Sequence, residues 1–161
     1  MEPGTLAPLH LGWLDVALRL GAALLLSLAL GIERFRRDKP VDFRPFVIIA
    51  VASCALIIAV VEFAFRADDA SLSVDPAKVI SGILTGIGFL GAGALFREKH
   101  IVHGAGSASA IWAGGAIGIA CGFGFLWLAA LLAVAVVGTL ALSRPFTDDY
   151  TVSADPDDEK E

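Results

Sequence analysis

The sequence predicts an all-α protein: a polytopic transmembrane bundle of about five helices, N-terminus outside and C-terminus in the cytoplasm. Three observations predict it. Apolar residues make up 57% of the 161-residue chain and charged residues 18%, with a mean hydropathy of +0.76; soluble domains average about 45–50% and about 25%. The apolar residues fall into five runs, and a spanning helix takes about 20 residues. Lysine and arginine are distributed unequally between alternate loops. No length is left over for a separate soluble enzyme domain.

The first run covers residues 14–32. No Lys or Arg precedes it, whereas a cleavable signal peptide has a basic start and a small-residue cleavage site. Residues 1–13 are therefore expected to be a short extracytoplasmic segment, and the first run an uncleaved anchor. The second run is 46–65, the third 79–96, the fourth 105–121 and the fifth 123–142. Asp75-Pro76 has the chemistry of a helix start, since Asp caps well and Pro suits the first turn. Gly122-Phe123-Gly124 is just wide enough for a tight turn, and one helix through it would exceed the bilayer.

Five spans put Arg34, Arg36, Arg37, Lys39, Arg44, Arg97, Lys99, Arg144 and Lys160 on one side. Only Arg19, Arg66 and Lys78 fall toward the other. The basic side is cytoplasmic. The formal charge of −5 belongs to the end of the chain: residues 147–161 alone carry −6. Residues 143–161 are expected to be a disordered acidic tail, rich in Asp and poor in aromatics. Nothing in this charge pattern points to nucleic acid.

Chemistry-bearing groupings are few. Cys54 and Cys121 sit inside apolar runs without metal-ligand or redox spacing and read as small core fillers. His100 and His103 are too few for a metal site. No nucleophile–base grouping is visible, so neither an enzyme nor a cofactor is expected. Gly86, Gly88 and Gly91 match G-x-G-x-x-G. The dinucleotide reading fails because no strand precedes them and the run is apolar throughout. Helix packing is the better reading. Gly82 and Gly86 form a GxxxG pair, with Gly88, Gly91 and Gly93 on neighbouring faces; Gly114, Gly118 and Gly122 recur every fourth residue. Such stripes let backbones approach closely. The two stripes are expected to face each other or a second protomer.

Charged groups at span edges are the stronger functional lead, because burying them is costly. Asp15 and Arg19, four apart, are expected to pair on one helix face. Glu33 and Arg34 end the first run, Glu62 lies near the end of the second, and Asp75 and Lys78 precede the third. No acid lies in mid-span, where a cation pump would want one.

Together these motifs resemble the MgtC/SapB family of bacterial inner-membrane proteins. Leu30-Gly31-Ile32-Glu33-Arg34 is similar to that family's G-[LI]-E-R ending of the first helix. Phe43-Arg44-Pro45 stands where L-R-T is common. Asp75-Pro76-Ala77-Lys78 followed by Gly86-Ile87-Gly88-Phe89-Leu90-Gly91-Ala92-Gly93 resembles D-x-x-R and G-I-G-F-L-G-A-G, the most distinctive block. Residues 104–112 and Ala116-Ile117-Gly118 resemble the G-L-T-T-A-A-x-x-W and A-x-G stretch. The chain departs from the pattern at Lys78 for Arg, at Ala105-Gly106-Ser107 for Leu-Thr-Thr and at Pro45 for Thr.

The resemblance covers 14–142 as the transmembrane domain and makes the chain a short form without the ACT-like cytoplasmic domain common in the family. It adds Arg44, Ser107 and Trp112 to Glu33, Arg34, Asp75 and Lys78 as candidate functional residues. It implies a non-enzymatic protein of the bacterial inner membrane, linked to low-Mg2+ growth, virulence and restraint of the F-type ATP synthase. That role needs contacts with other membrane proteins, or with a second copy, within the bilayer. The alternative is a Mg2+ or other cation permease using Glu33, Asp75 and the Gly-rich third span. A merely dimerising structural fragment is the third reading.

Overall fold

The computed structural model describes residues 7–35, 42–66, 74–98 and 101–142. The expected tail at 143–161 and the loop cations Arg36, Arg37, Lys39, Lys99 and His100 lie outside them. Five helices account for most of the described chain: α1 (Trp13–Phe35), α2 (Arg44–Arg66), α3 (Pro76–Gly93), α4 (Ala105–Phe123) and α5 (Leu126–Leu142). The first four are long and apolar enough to cross a membrane; α5 is shorter at 17 residues, about 25 Å at 1.5 Å per residue. This is a multi-pass helical membrane protein.

The third helix starts earlier and ends earlier than the apolar run suggested. The Asp75 carboxylate accepts the Ala77 N–H at 2.9 Å and Pro76 sits in the first turn, which sets the start. At the other end, Ala94 and Leu95 donate to the Gly91 and Ala92 carbonyls, tightening the last turn. The chain then forms a short antiparallel hairpin, β1 (Phe96–Glu98) with β2 (Ile101–His103), Arg97 opposite Val102. Among the described residues, this hairpin is the one departure from an all-α description. Gly104, at φ +86°, turns the chain from β2 into α4.

The turn at Gly122-Phe123-Gly124 forms as expected. Gly124 is left-handed at φ +86°. Its N–H donates to the Cys121 carbonyl and that of Phe125 to the Ala120 carbonyl, both at 2.9 Å. That pair of bonds is the Schellman ending, which satisfies the last carbonyls of α4.

Helix α4 is the central element: 67% of its span is buried, against 11% for α3. It packs against all four other helices. Its glycine stripe faces α2, not α3. A Cβ on Gly114 would lie 3.5 Å from the Phe46 carbonyl oxygen. At Gly118 a Cβ would run into the Ala50 carbonyl, and at Gly122 it would lie 2.6 Å from Ile57 Cβ and 2.8 Å from the Cys54 oxygen. The two helices run parallel and touch every fourth residue on each. Helix α3 runs antiparallel to α4 along another side, with Ile87 against Gly115 and Gly91 3.5 Å from the Ala108 oxygen. Helix α1 lies antiparallel to α4, and Leu30, Cys54, Ile117, Cys121, Ala129 and Ala133 share a core that joins α1, α2, α4 and α5.

Candidate functional site

Helix α1 ends in two buried charges. Glu33 is 9% exposed and Arg34 6%. Two adjacent ionisable groups at such burial are expensive unless well partnered. Helical spacing aims Arg34 at the first turn of α4, where its Nη2 donates to Ser107 Oγ at 3.1 Å. Ser107 is itself buried. Gly106 makes room: a Cβ there would sit 3.2 Å from Arg34 Nη1. Gly31, one turn before, lets the start of α2 close over this end, since a Cβ there would lie 2.9 Å from Phe43 Cβ. Arg34 stands in the last turn of its own helix, where the dipole favours a cation.

The structure thus brings Arg34 and Ser107 together, with buried Glu33 next to Arg34 in the chain, and leaves the other sequence candidates elsewhere. Arg44 is exposed, pairing with exposed Asp42 at 3.5 Å; a surface pair of that kind contributes little. Asp75 is the cap of α3. Lys78, in the same first turn, is exposed. Both lie at the opposite end of the bundle from Glu33. Trp112 is half-exposed on α4 between buried Ile111 and Ala113. Of the third-span glycines only Gly91 is packed; around Gly82, Gly86, Gly88 and Gly93 nothing lies within 4 Å of a Cβ position.

Sequence reasoning missed two polar contacts at the other end. Arg19 does not pair with Asp15. Its Nη1 donates to the Gly122 carbonyl at 2.7 Å, serving an end carbonyl of α4. The signal available was the turn itself, since a helix ending inside a bundle needs donors for its last carbonyls. Glu62 accepts backbone N–H groups from the segment before α1. Among the described residues, no group of three or more His, Cys, Asp or Glu is arranged to hold a metal ion.

Comparison with known proteins gives the family. The model of the MgtC family matches residues 20–148. The chain is 33% identical over 113 residues to Protein SapB of Bacillus subtilis strain 168, covering 69% of this chain and 49% of the relative. It is 35% identical over 126 residues to Protein MgtC of Brucella abortus strain 2308, covering 78% and 50%. With Protein MgtC of Salmonella typhimurium strain 14028s it shares 33% identity over 108 residues, covering 66% and 43%. The chain spans about half the length of these curated relatives. No solved structure matches. The matched region takes in Glu33, Arg34, the Gly-rich third span and Ser107, and the chain belongs to the MgtC family.

Proposed function

We propose that this chain is a non-enzymatic protein of a bacterial inner membrane that modulates Mg2+ and energy homeostasis through contacts with other membrane proteins. In this reading its N-terminus lies outside and its C-terminus in the cytoplasm, which the distribution of Lys and Arg along the sequence supports. Family membership supports the link to Mg2+. One structural observation carries the contact reading: α3 packs on α4, with a small contact to α2 through Ile83 and Ile87, and leaves its glycine face open. Gly82, Gly86, Gly88 and Gly93 meet nothing, and Phe89 is 80% exposed. In lipid, where apolar side chains gain little from leaving the solvent, association relies on close backbone approach at small residues. The F-type ATP synthase membrane sector is the partner that the family resemblance suggests.

The permease reading needs Glu33, Asp75 and α3 along one route. Glu33 and Asp75 stand at opposite ends, and the Asp75 carboxylate is engaged in a helix cap. That placement favours the modulator.

The test tags the protein, grows cells at low Mg2+, crosslinks in the membrane and identifies what co-purifies. A stoichiometric membrane partner is expected from the wild type and lost in Gly82→Leu and Gly86→Leu, whose glycines have open space around them. Recovery of the protein alone, or a partner kept by both variants, refutes the reading. Gly114→Leu and Gly118→Leu are unsuitable probes, because those glycines hold α2 against α4.

A further inference from the structure

At the end of the bundle away from Arg34, the segment before α1 folds back onto α2. The Glu62 carboxylate takes up three consecutive backbone N–H groups. Leu9 donates to Oε2 at 2.7 Å, Leu11 to Oε1 at 2.7 Å, and His10 to both oxygens at 3.2 Å. Successive amides converging on one anion form a nest, in which each bond is charge-assisted. Two side chains reinforce it. The His10 ring stacks on Phe65, centroids 3.5 Å apart and planes 10° from parallel. Leu11 is buried in the same core cluster as Ile58, Ala120 and Cys121.

We infer that residues 7–12 are a strap, clasped over this end of the bundle by the charge on Glu62. Glu62 lies near the end of a membrane-spanning helix, where an ionised carboxylate is stabilised by donors. The strap supplies them all from backbone, so the clasp rests on the carboxylate and the three N–H groups, with the His10 and Leu11 side chains secondary. Its two oxygens are both required: Leu9 uses one and Leu11 the other. A glutamine of the same shape turns a donor NH2 toward one of these N–H groups, whichever way its amide is oriented. Release of the strap also draws Leu11 out of the core and uncovers the carboxylate at the membrane boundary. The strap is thus a conformational element separate from the α3 face, and it stands or falls without the functional reading above.

The experiment is hydrogen exchange by mass spectrometry on the full chain in nanodiscs. In the wild type, the amides of residues 9–11 are protected. Glu62→Gln raises their exchange at least about tenfold, because charge-assisted bonds are lost, while the amides of α2 and α4 keep their protection. Leu9→Pro removes one donor from the strap without altering the bundle. It raises exchange at residues 10 and 11 similarly, and decides the matter if Glu62→Gln fails to fold. His10→Ala, which removes the ring stack and keeps the carboxylate, leaves protection within about threefold of wild type, less than the loss of one charge-assisted bond. Unprotected amides at 9–11 in the wild type overturn the strap. Full protection in both Glu62→Gln and Leu9→Pro, or release by His10→Ala as complete as theirs, overturns the charge clasp.

Discussion

The glycines of α4 look equivalent in sequence, and the structure makes them unequal. At Gly118 an added methyl would lie 2.9 Å from both Cα and C of Ala50 and closer still to its carbonyl oxygen. Every one of these is a backbone atom of a fully buried residue. No rotamer change relieves the clash, so α2 must retreat by about 0.5 Å or more to reach ordinary separation, and a gap of that size along the seam forfeits about a quarter or more of the dispersion gain there. Overpacking of this kind costs about 1–3 kcal/mol. At Gly114, one turn earlier, the same methyl would meet only the Phe46 oxygen at 3.5 Å, an ordinary contact. There the helix propensity of Ala over Gly, up to about 1 kcal/mol, has nothing to oppose it. Gly118→Ala is therefore expected to be destabilising relative to Gly114→Ala by about 1–3 kcal/mol, the overpacking cost, since the propensity gain is common to both. Gly122→Ala follows Gly118, with Ile57 Cβ at 2.6 Å. Gly86→Ala, with nothing nearby, follows Gly114. Unfolding in mixed micelles with increasing SDS, followed by far-ultraviolet circular dichroism, measures the order. Equal stabilities of Gly114→Ala and Gly118→Ala would refute the parallel α2–α4 seam.

Two further outcomes follow from the ends of α4. Ser107→Ala leaves buried Arg34 without its hydroxyl acceptor and is expected to cost about 1–3 kcal/mol in the same unfolding assay; Gly106→Ala, whose methyl would meet only the movable tip of Arg34, is expected to cost less. Gly104 and Gly124 share φ +86°, so Ala at either incurs about 1–2 kcal/mol of left-handed strain. A methyl at Gly104 also strikes the Ala94 carbonyl, whereas at Gly124 it meets the Arg19 guanidinium at 3.1 Å, which can move. Gly104→Ala is expected to give the lower melting temperature of the two, and the reverse order would contradict the turn geometry.

Much of this was legible in the sequence. The five helices sit where the apolar runs are, because a spanning segment must satisfy its own backbone and can do so only as a helix. The Asp75 cap and the Gly124 turn were readable because each is local chemistry. What the sequence could not supply was the partner of each face. Period 3.6 places Gly114, Gly118 and Gly122 on one stripe, yet nothing in that period distinguishes α2 from α3 as the helix received there. Helix α4 is apolar all round, so its own pattern prefers no side. The glycines of α3 follow a similar spacing, yet Gly91 alone among them meets α4 and the others face open space. The buried end shows the same division. Arg34 and Ser107 were singled out separately, but their meeting depends on how α1 and α4 align, across 73 residues of chain. Asp15 and Arg19 had the spacing of a helix pair, and the long-range acceptor won because an unmet end carbonyl outbids an exposed carboxylate.

Arg19 and Arg34 together show how that alignment is fixed. Here α1 is tied to α4 at both ends, by Arg19 to the Gly122 carbonyl and by Arg34 to Ser107. The two arginines are fifteen residues apart, and so are their two acceptors on the antiparallel helix. Each interval is about 22 Å along its axis. Equal spacing means that one register satisfies both bonds and a slip of one turn satisfies neither. Either bond alone holds the register, so losing one costs only that bond. Losing both also frees the helices to slide. Sites this far apart with no shared partner ordinarily give additive effects within about 0.3–0.5 kcal/mol. The Arg19→Met, Ser107→Ala double variant is instead expected to lose more stability than the two single variants combined. Strict additivity would show that the two bonds act locally and that the packed core alone sets the register.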